Sequence, residues 1–187
     1  MSKDISVLQK CIDQIQNEKL KKWTINFFEK KVPAYFFEVP ASSTNKYHPG
    51  YSRVNGGTVN HTKMAINLAI DMIDDGYIDL SSIERDIVIV SLLLHDTFKY
   101  GIPKAKYTNA SHGADCAAII NDMNKNNNKI LKAIAGCVAS HMGQFNKDYR
   151  TKKVVAPMPK TKLEKFVAMC DYLASRNYLD DISKLTV

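Results

Sequence analysis

Apolar residues return at helical spacing along most of this chain. Leu8, Ile12 and Ile15 recur every three or four positions, and Leu20, Trp23, Ile25, Phe27 and Phe28 continue an apolar face. That pattern predicts one or two helices up to residue 31, ended by Pro33. Residues 33–57 carry Pro33, Pro40, Pro49, Gly50, Gly56 and Gly57, which predicts a long irregular segment of the kind compact domains keep for function. A helix follows over 58–75, closed by Gly76. Ser81, with Glu84 three positions on as a capping box, opens the next, which runs through the apolar stretch to near Gly101. Ser111 is the expected N-cap of another. Two more are expected over 128–142, closed by Gly143, and from Thr161, again with Glu164 three positions on, to about Asn177. Only 34–39 and 154–155 read as short strands. The pattern therefore predicts an all-α bundle in one domain.

Composition narrows the setting more than the fold. With 45% hydrophobic and 24% charged residues the chain is ordinary globular protein, not a disordered or collagen-like one. The longest apolar run, 87–94, is interrupted by Ser91 and is too short to span a bilayer. The opening MSKDISVLQK lacks the apolar core of a signal peptide. The expected location is cytoplasmic, with no membrane partner. Cys11, Cys116, Cys137 and Cys170 are scattered without a CxxC pair, so buried free thiols are expected rather than disulfides or a thiolate metal site.

The histidines change the picture. His61 shares a helix face with Ala65, Leu68 and Met72; His112 with Cys116, Ile119 and Met123; His141 with Ile130, Ile134 and Val138. Asp171 lies on the face of Val167, Ala168 and Ala174, and His95-Asp96 directly follows the most apolar run. Each of these places an imidazole or carboxylate toward the core. One such group is ordinarily satisfied by a backbone partner. Six together, at a cost of about 1–3 kcal/mol for each unpaired one, must satisfy each other or share a ligand. Four imidazoles and two carboxylates are the N and O donors that hold Fe, Mn, Co or Zn.

The ordered set His61, His95-Asp96, Asp171 resembles the HD-domain superfamily of metal-dependent phosphohydrolases, and the added His112 and His141 resemble its dinuclear branch. The likeness covers roughly residues 34–177. The segment PASSTNKYHPGYSRVNGGTVNHT is similar to the HD domain of bacterial 3′→5′ exoribonucleases. The run His95-Asp96-Thr97-Phe98-Lys99 resembles the HDxxK motif of symmetrical diadenosine-tetraphosphate hydrolases. These resemblances imply an HD-domain helical bundle over residues 33–187, with residues 1–32 as an N-terminal helical extension packed on it. They also imply one or two divalent transition metal ions. His61, His95, Asp96 and Asp171 match ligands of a first ion. Asp96 would bridge to a second ion held by His112 and His141. Lys99 matches a phosphate-contacting lysine, so Asp96 and Lys99 are the expected catalytic pair. The implied activity is phosphohydrolase or phosphodiesterase chemistry on a nucleotide or nucleotide-derived ester, through a metal-activated hydroxide.

Beside these, Lys46, His48, Tyr51 and Arg53 in the Pro/Gly-rich segment, and Gln144 and Lys147 after His141, are candidates for binding substrate. Residues 145–165 hold seven basic residues against Asp148 and Glu164, part of a formal net charge of +7. A solvated loop explains that surplus as well as attraction to short RNA or another single-stranded nucleic acid does. The alternative to an enzyme is a non-catalytic, metal-bound module that binds nucleotide or nucleic acid. The amphipathic N-terminal helices either cover the core or form a homodimer contact.

Overall fold

The structure is a computed structural model that describes residues 3–44 and 48–179. Its helices are α1 (Gln9–Ile12), α2 (Glu18–Lys30), α3 (Gly57–Asp74), α4 (Ser82–Leu94), α5 (His112–Met123), α6 (Lys129–Ser140) and α7 (Lys162–Ala174). Short 3₁₀ turns lie between them. The fold is all-α.

The apolar run after Ser82 is the centre of the molecule. Every residue from Asp86 to Leu94 is buried, as expected of a helix that is apolar all round. α3, α6 and α7 each pack on α4, α7 also packs on α3 and α6, and α5 lies against α6. Capping follows the sequence closely. The Ser81 N–H and hydroxyl both donate to Glu84, and Thr161 and Glu164 cap each other reciprocally.

Four expectations change. α4 does not reach Gly101 but stops at Leu94, with only His95 continuing in helical conformation. Beyond it the Thr97 and Lys99 N–H groups turn back to Leu94 and Asp96, three residues behind, so the chain tightens out of the α-helix where the polar residues begin. Residues 34–39 are not a strand; Ala34–Phe37 form a 3₁₀ turn that sends Phe36 into the core beside Phe28. Val154 makes one isolated bridge, to Lys147, at the base of a tight turn rather than in a sheet. Ser111 stands at the N-cap of α5, but its hydroxyl donates to Asn109 and Asp115 and does not cap the helix.

The N-terminal elements share the main core, contributing Leu8, Ile12, Ile15, Phe27 and Phe28. They are held by a buried carboxylate. Asp86, 1% exposed on α4, accepts from the Gln16 N–H at 2.9 Å and the Asn17 N–H at 2.8 Å, just before α2 begins. Asp86→Ala leaves both donors unpaired. It is expected to cost about 3 kcal/mol, read as a lower urea midpoint with an unchanged m-value.

The irregular segment 33–57 is pinned against the start of α3. A Cβ on Gly57 would lie 2.1 Å from the Ser52 carbonyl oxygen, and that oxygen already accepts from the Ala41 N–H. Only glycine permits this approach, which holds the segment over the helix end that carries His61.

A candidate two-part metal centre

Helix ends deliver the six polar residues to one place. His61 comes from the start of α3, His95 and Asp96 from the turn after α4, and His112 is the first residue of α5. His141 follows the last residue of α6, and Asp171 lies in the last turn of α7. His61 and His95 are 0% exposed, Asp96 1%, and His112 and His141 2%. The Asp171 side chain keeps 18% exposure, which marks the open side of the site.

They sort into two groups. In the first, His61 Nε2 lies 2.8 Å from Asp171 Oδ1 and 3.2 Å from His95 Nε2. In the second, His112 Nε2 lies 3.1 Å from Asp96 Oδ1 and 3.1 Å from His141 Nε2. Within each group the donor atoms all fall within 4.8 Å of one another, the spacing of a candidate metal site. Asp96 faces both. Its Oδ1 belongs to the second group, while its Oδ2 is 3.5 Å from His95 Nε2 and 3.8 Å from His61 Nε2.

Proton positions make the second group acceptor-only. The Nδ1 atoms of His95, His112 and His141 each lie 2.7 Å from a backbone carbonyl, those of Leu92, Asn109 and Val138. A carbonyl only accepts, so each Nδ1 carries the proton, and the neutral ring turns an unprotonated Nε2 inward. In the second group two imidazole lone pairs and a carboxylate oxygen then face each other at 3.1, 3.1 and 3.7 Å with no donor among them. A divalent cation is what such a set accommodates, and N/O donors of this kind suit Fe, Mn, Co or Zn.

Both carboxylates are held ionised. Burial alone would raise the Asp96 carboxyl, but Lys99, then His95, His112 and His141, hold it well below the usual range. Burial likewise opposes ionisation of Asp171, and the His61 and His95 rings beside it outweigh that and hold its carboxyl well below the usual range. Burial, helped by His141 and Lys99, lowers the His112 pKa and favours the neutral, ligating ring. For His95 burial is the largest influence and is overcome by Asp96 and Asp171, so its pKa is raised.

The remaining candidates are placed unevenly. Lys99 is 8% exposed and pairs through Nζ with Asp96 Oδ2, so it belongs to the site rather than to the surface. His48 packs edge-on against His61 with ring centroids 5.4 Å apart. Burial, then the nearby Lys99 and His61, push its pKa down to about 3. Among the described residues its Nδ1 has no hydrogen-bond partner. The Arg53 Nε donates to the His48 carbonyl, and the Tyr51 hydroxyl donates to the Ala174 carbonyl at 2.7 Å, tying the Pro/Gly-rich segment to the end of α7. Lys46 lies outside the described residues. Gln144 and Lys147 are solvent-exposed in the segment that follows His141.

Sequence reasoning missed the carbonyls of Leu92, Asn109 and Val138, which have no residue signature. It also missed Gly113, whose position directly after His112 was the available signal. The grooves of the surface include one lined by Val39, Pro40, Ser43, Tyr100, Lys104, Ala105 and Lys106, and it holds none of the six. All four cysteines are buried and free. No helix among the described residues is long and apolar enough to cross a membrane.

The sequence model of the HD domain matches residues 58–176. No curated protein and no solved structure matches the chain.

Proposed function

The chain belongs to the HD domain family of metal-dependent phosphohydrolases, and on that premise we propose that it hydrolyses a phosphate ester of a nucleotide or nucleotide derivative. The observation that carries this reading is the single carboxylate of Asp96 turned toward two donor groups, with acceptor atoms facing one another inside the second. His61, His95 and Asp171 would hold one divalent cation and His112 and His141 a second, with Asp96 shared. Such cations, when bound, lower the pKa of water toward neutrality and polarise phosphoryl oxygens.

The chain's own residues supply the rest. The carbonyl-bound Nδ1 atoms fix the ring orientations, so no reorganisation is needed during reaction. Lys99 places a positive charge beside Asp96, where it offsets negative charge developing on the phosphate. Asp171 and His48 stand where substrate would enter. No side-chain nucleophile is required.

The test is a hydrolysis panel with added manganese. It holds an aryl phosphodiester, nucleoside mono- and triphosphates, dinucleoside polyphosphates, cyclic dinucleotides and short RNA. Turnover of at least one nucleotide ester is expected, lost with EDTA and restored by metal. A folded, metal-loaded chain that binds nucleotides tightly yet turns over nothing in the panel would favour the non-catalytic module instead.

A further inference from the structure

Two loops leave the second donor group and carry much of the chain's excess charge. The first, ahead of His112, exposes Lys104 and Lys106. The second begins just after His141. There Asp148 and Lys153 are joined backbone to backbone, and the Asp148 carboxylate accepts from the Arg150 and Thr151 N–H groups. That turn exposes Lys147, Arg150, Lys152 and Lys153 to solvent. Asp148 is the one acidic residue over 102–108 and 145–155, and its carboxylate is occupied within the turn.

Exposed rings are interleaved with these cations. Tyr107 is 48% and Tyr149 85% exposed. Lys152 Nζ sits 4.4 Å from the centre of the Tyr149 ring, and the Arg150 guanidinium lies 6.0 Å from that of Tyr107, which joins the two loops. We infer that this rim binds a single-stranded polynucleotide beside the donor groups. As a statement of substrate class it rests on the phosphoester reading above. Cations spread along two loops match a row of phosphates better than the one phosphate group of a mononucleotide. Open tyrosine faces stack on unpaired bases and not on a closed duplex. An acidic peptide would use the charges and leave the rings idle.

Binding of a labelled single-stranded oligonucleotide, as RNA and as DNA, measured by anisotropy in EDTA, tests this without any turnover. Affinity is expected to fall roughly 10- to 100-fold between about 50 and 200 mM salt. Lys152→Glu with Lys153→Glu is expected to weaken binding at least about tenfold. Lys129→Glu with Lys132→Glu makes the same change of charge toward the other end of α6, about 14–18 Å of helix rise from His141, and is expected to leave affinity within about twofold. Salt-independent binding, an equal loss in the α6 variant, equal binding of a duplex, or equally effective competition by a mononucleotide would overturn the inference. The RNA and DNA arms identify which strand is bound. Hydrolysis of the aryl phosphodiester by the wild-type chain is scored separately, so loss of the catalytic reading and loss of the rim are distinguishable.

Discussion

Asp96→Asn is expected to lower metal-dependent hydrolysis by roughly 10³-fold, the upper range for removing one preorganised electrostatic group. Asparagine keeps the shape but removes the charge and replaces one ligating oxygen with an amide NH2 that cannot bind a cation. Both oxygens are engaged in the native chain. Oδ1 is 3.1 Å from His112 Nε2, and Oδ2 pairs with Lys99 and faces His95 at 3.5 Å. The change also leaves the Lys99 ammonium buried beside a neutral group, at a cost of about 3 kcal/mol, which a domain of ordinary stability survives. Manganese-supported kcat, metal content and far-UV circular dichroism check the result together. A folded variant with wild-type turnover would remove Asp96 from the chemistry. Asp171→Asn gives a second reading, since it touches only the first donor group.

Gly113→Ala is expected to disable the second group alone. A Cβ there would lie 2.7 Å from the Val138 carbonyl oxygen and 2.9 Å from both Nδ1 and Cε1 of His141. That carbonyl is the acceptor that orients the His141 ring. One methyl group therefore presses on the ring and on its anchor at once, and neither can give, because Val138 and His141 are buried. The expected outcome is loss of one bound ion per chain, a fall in activity of roughly 10²-fold, and a stability cost of about 1–3 kcal/mol. Gly136→Ala is the control. Its Cβ would meet only the Glu164 carboxylate, with Oε1 at 2.9 Å, which caps α7 and belongs to neither donor group, so metal content is expected to stay as it is. If both variants load two ions and turn over alike, Gly113 has no part in placing His141.

Much of this protein was legible from local pattern. Spacing located α3, α6 and α7 and the starts of α4 and α5 within a few residues, because apolar periodicity begins beside a residue suited to capping or turning the chain. The inward histidines were legible too, since a polar residue on an apolar stripe is visible without coordinates. The stripe itself was drawn slightly off. His61 shares its buried face with Thr58, Thr62, Ala65 and Ala69, while Leu68 and Met72 are only partly covered, because two neighbours, α4 and α7, pack on α3 from different sides. The stop of α4 at Leu94 was hidden for a related reason. Apolar periodicity runs on through Phe98, and only the tight turns at Thr97 and Lys99 end the helix.

Residue order alone determined which side chains turn inward and which donor atoms they carry, for that follows from helical periodicity and side-chain chemistry. Tertiary structure decided how those donors divide: His61, His95 and Asp171 in one group, His112 and His141 in the other, with Asp96 between. It decided as well that Lys99 is buried against that carboxylate rather than lying on the surface. Distances between helix ends depend on how whole helices cross. Imidazole orientation depends on carbonyls that any residue could provide, so neither leaves a mark in the order of residues.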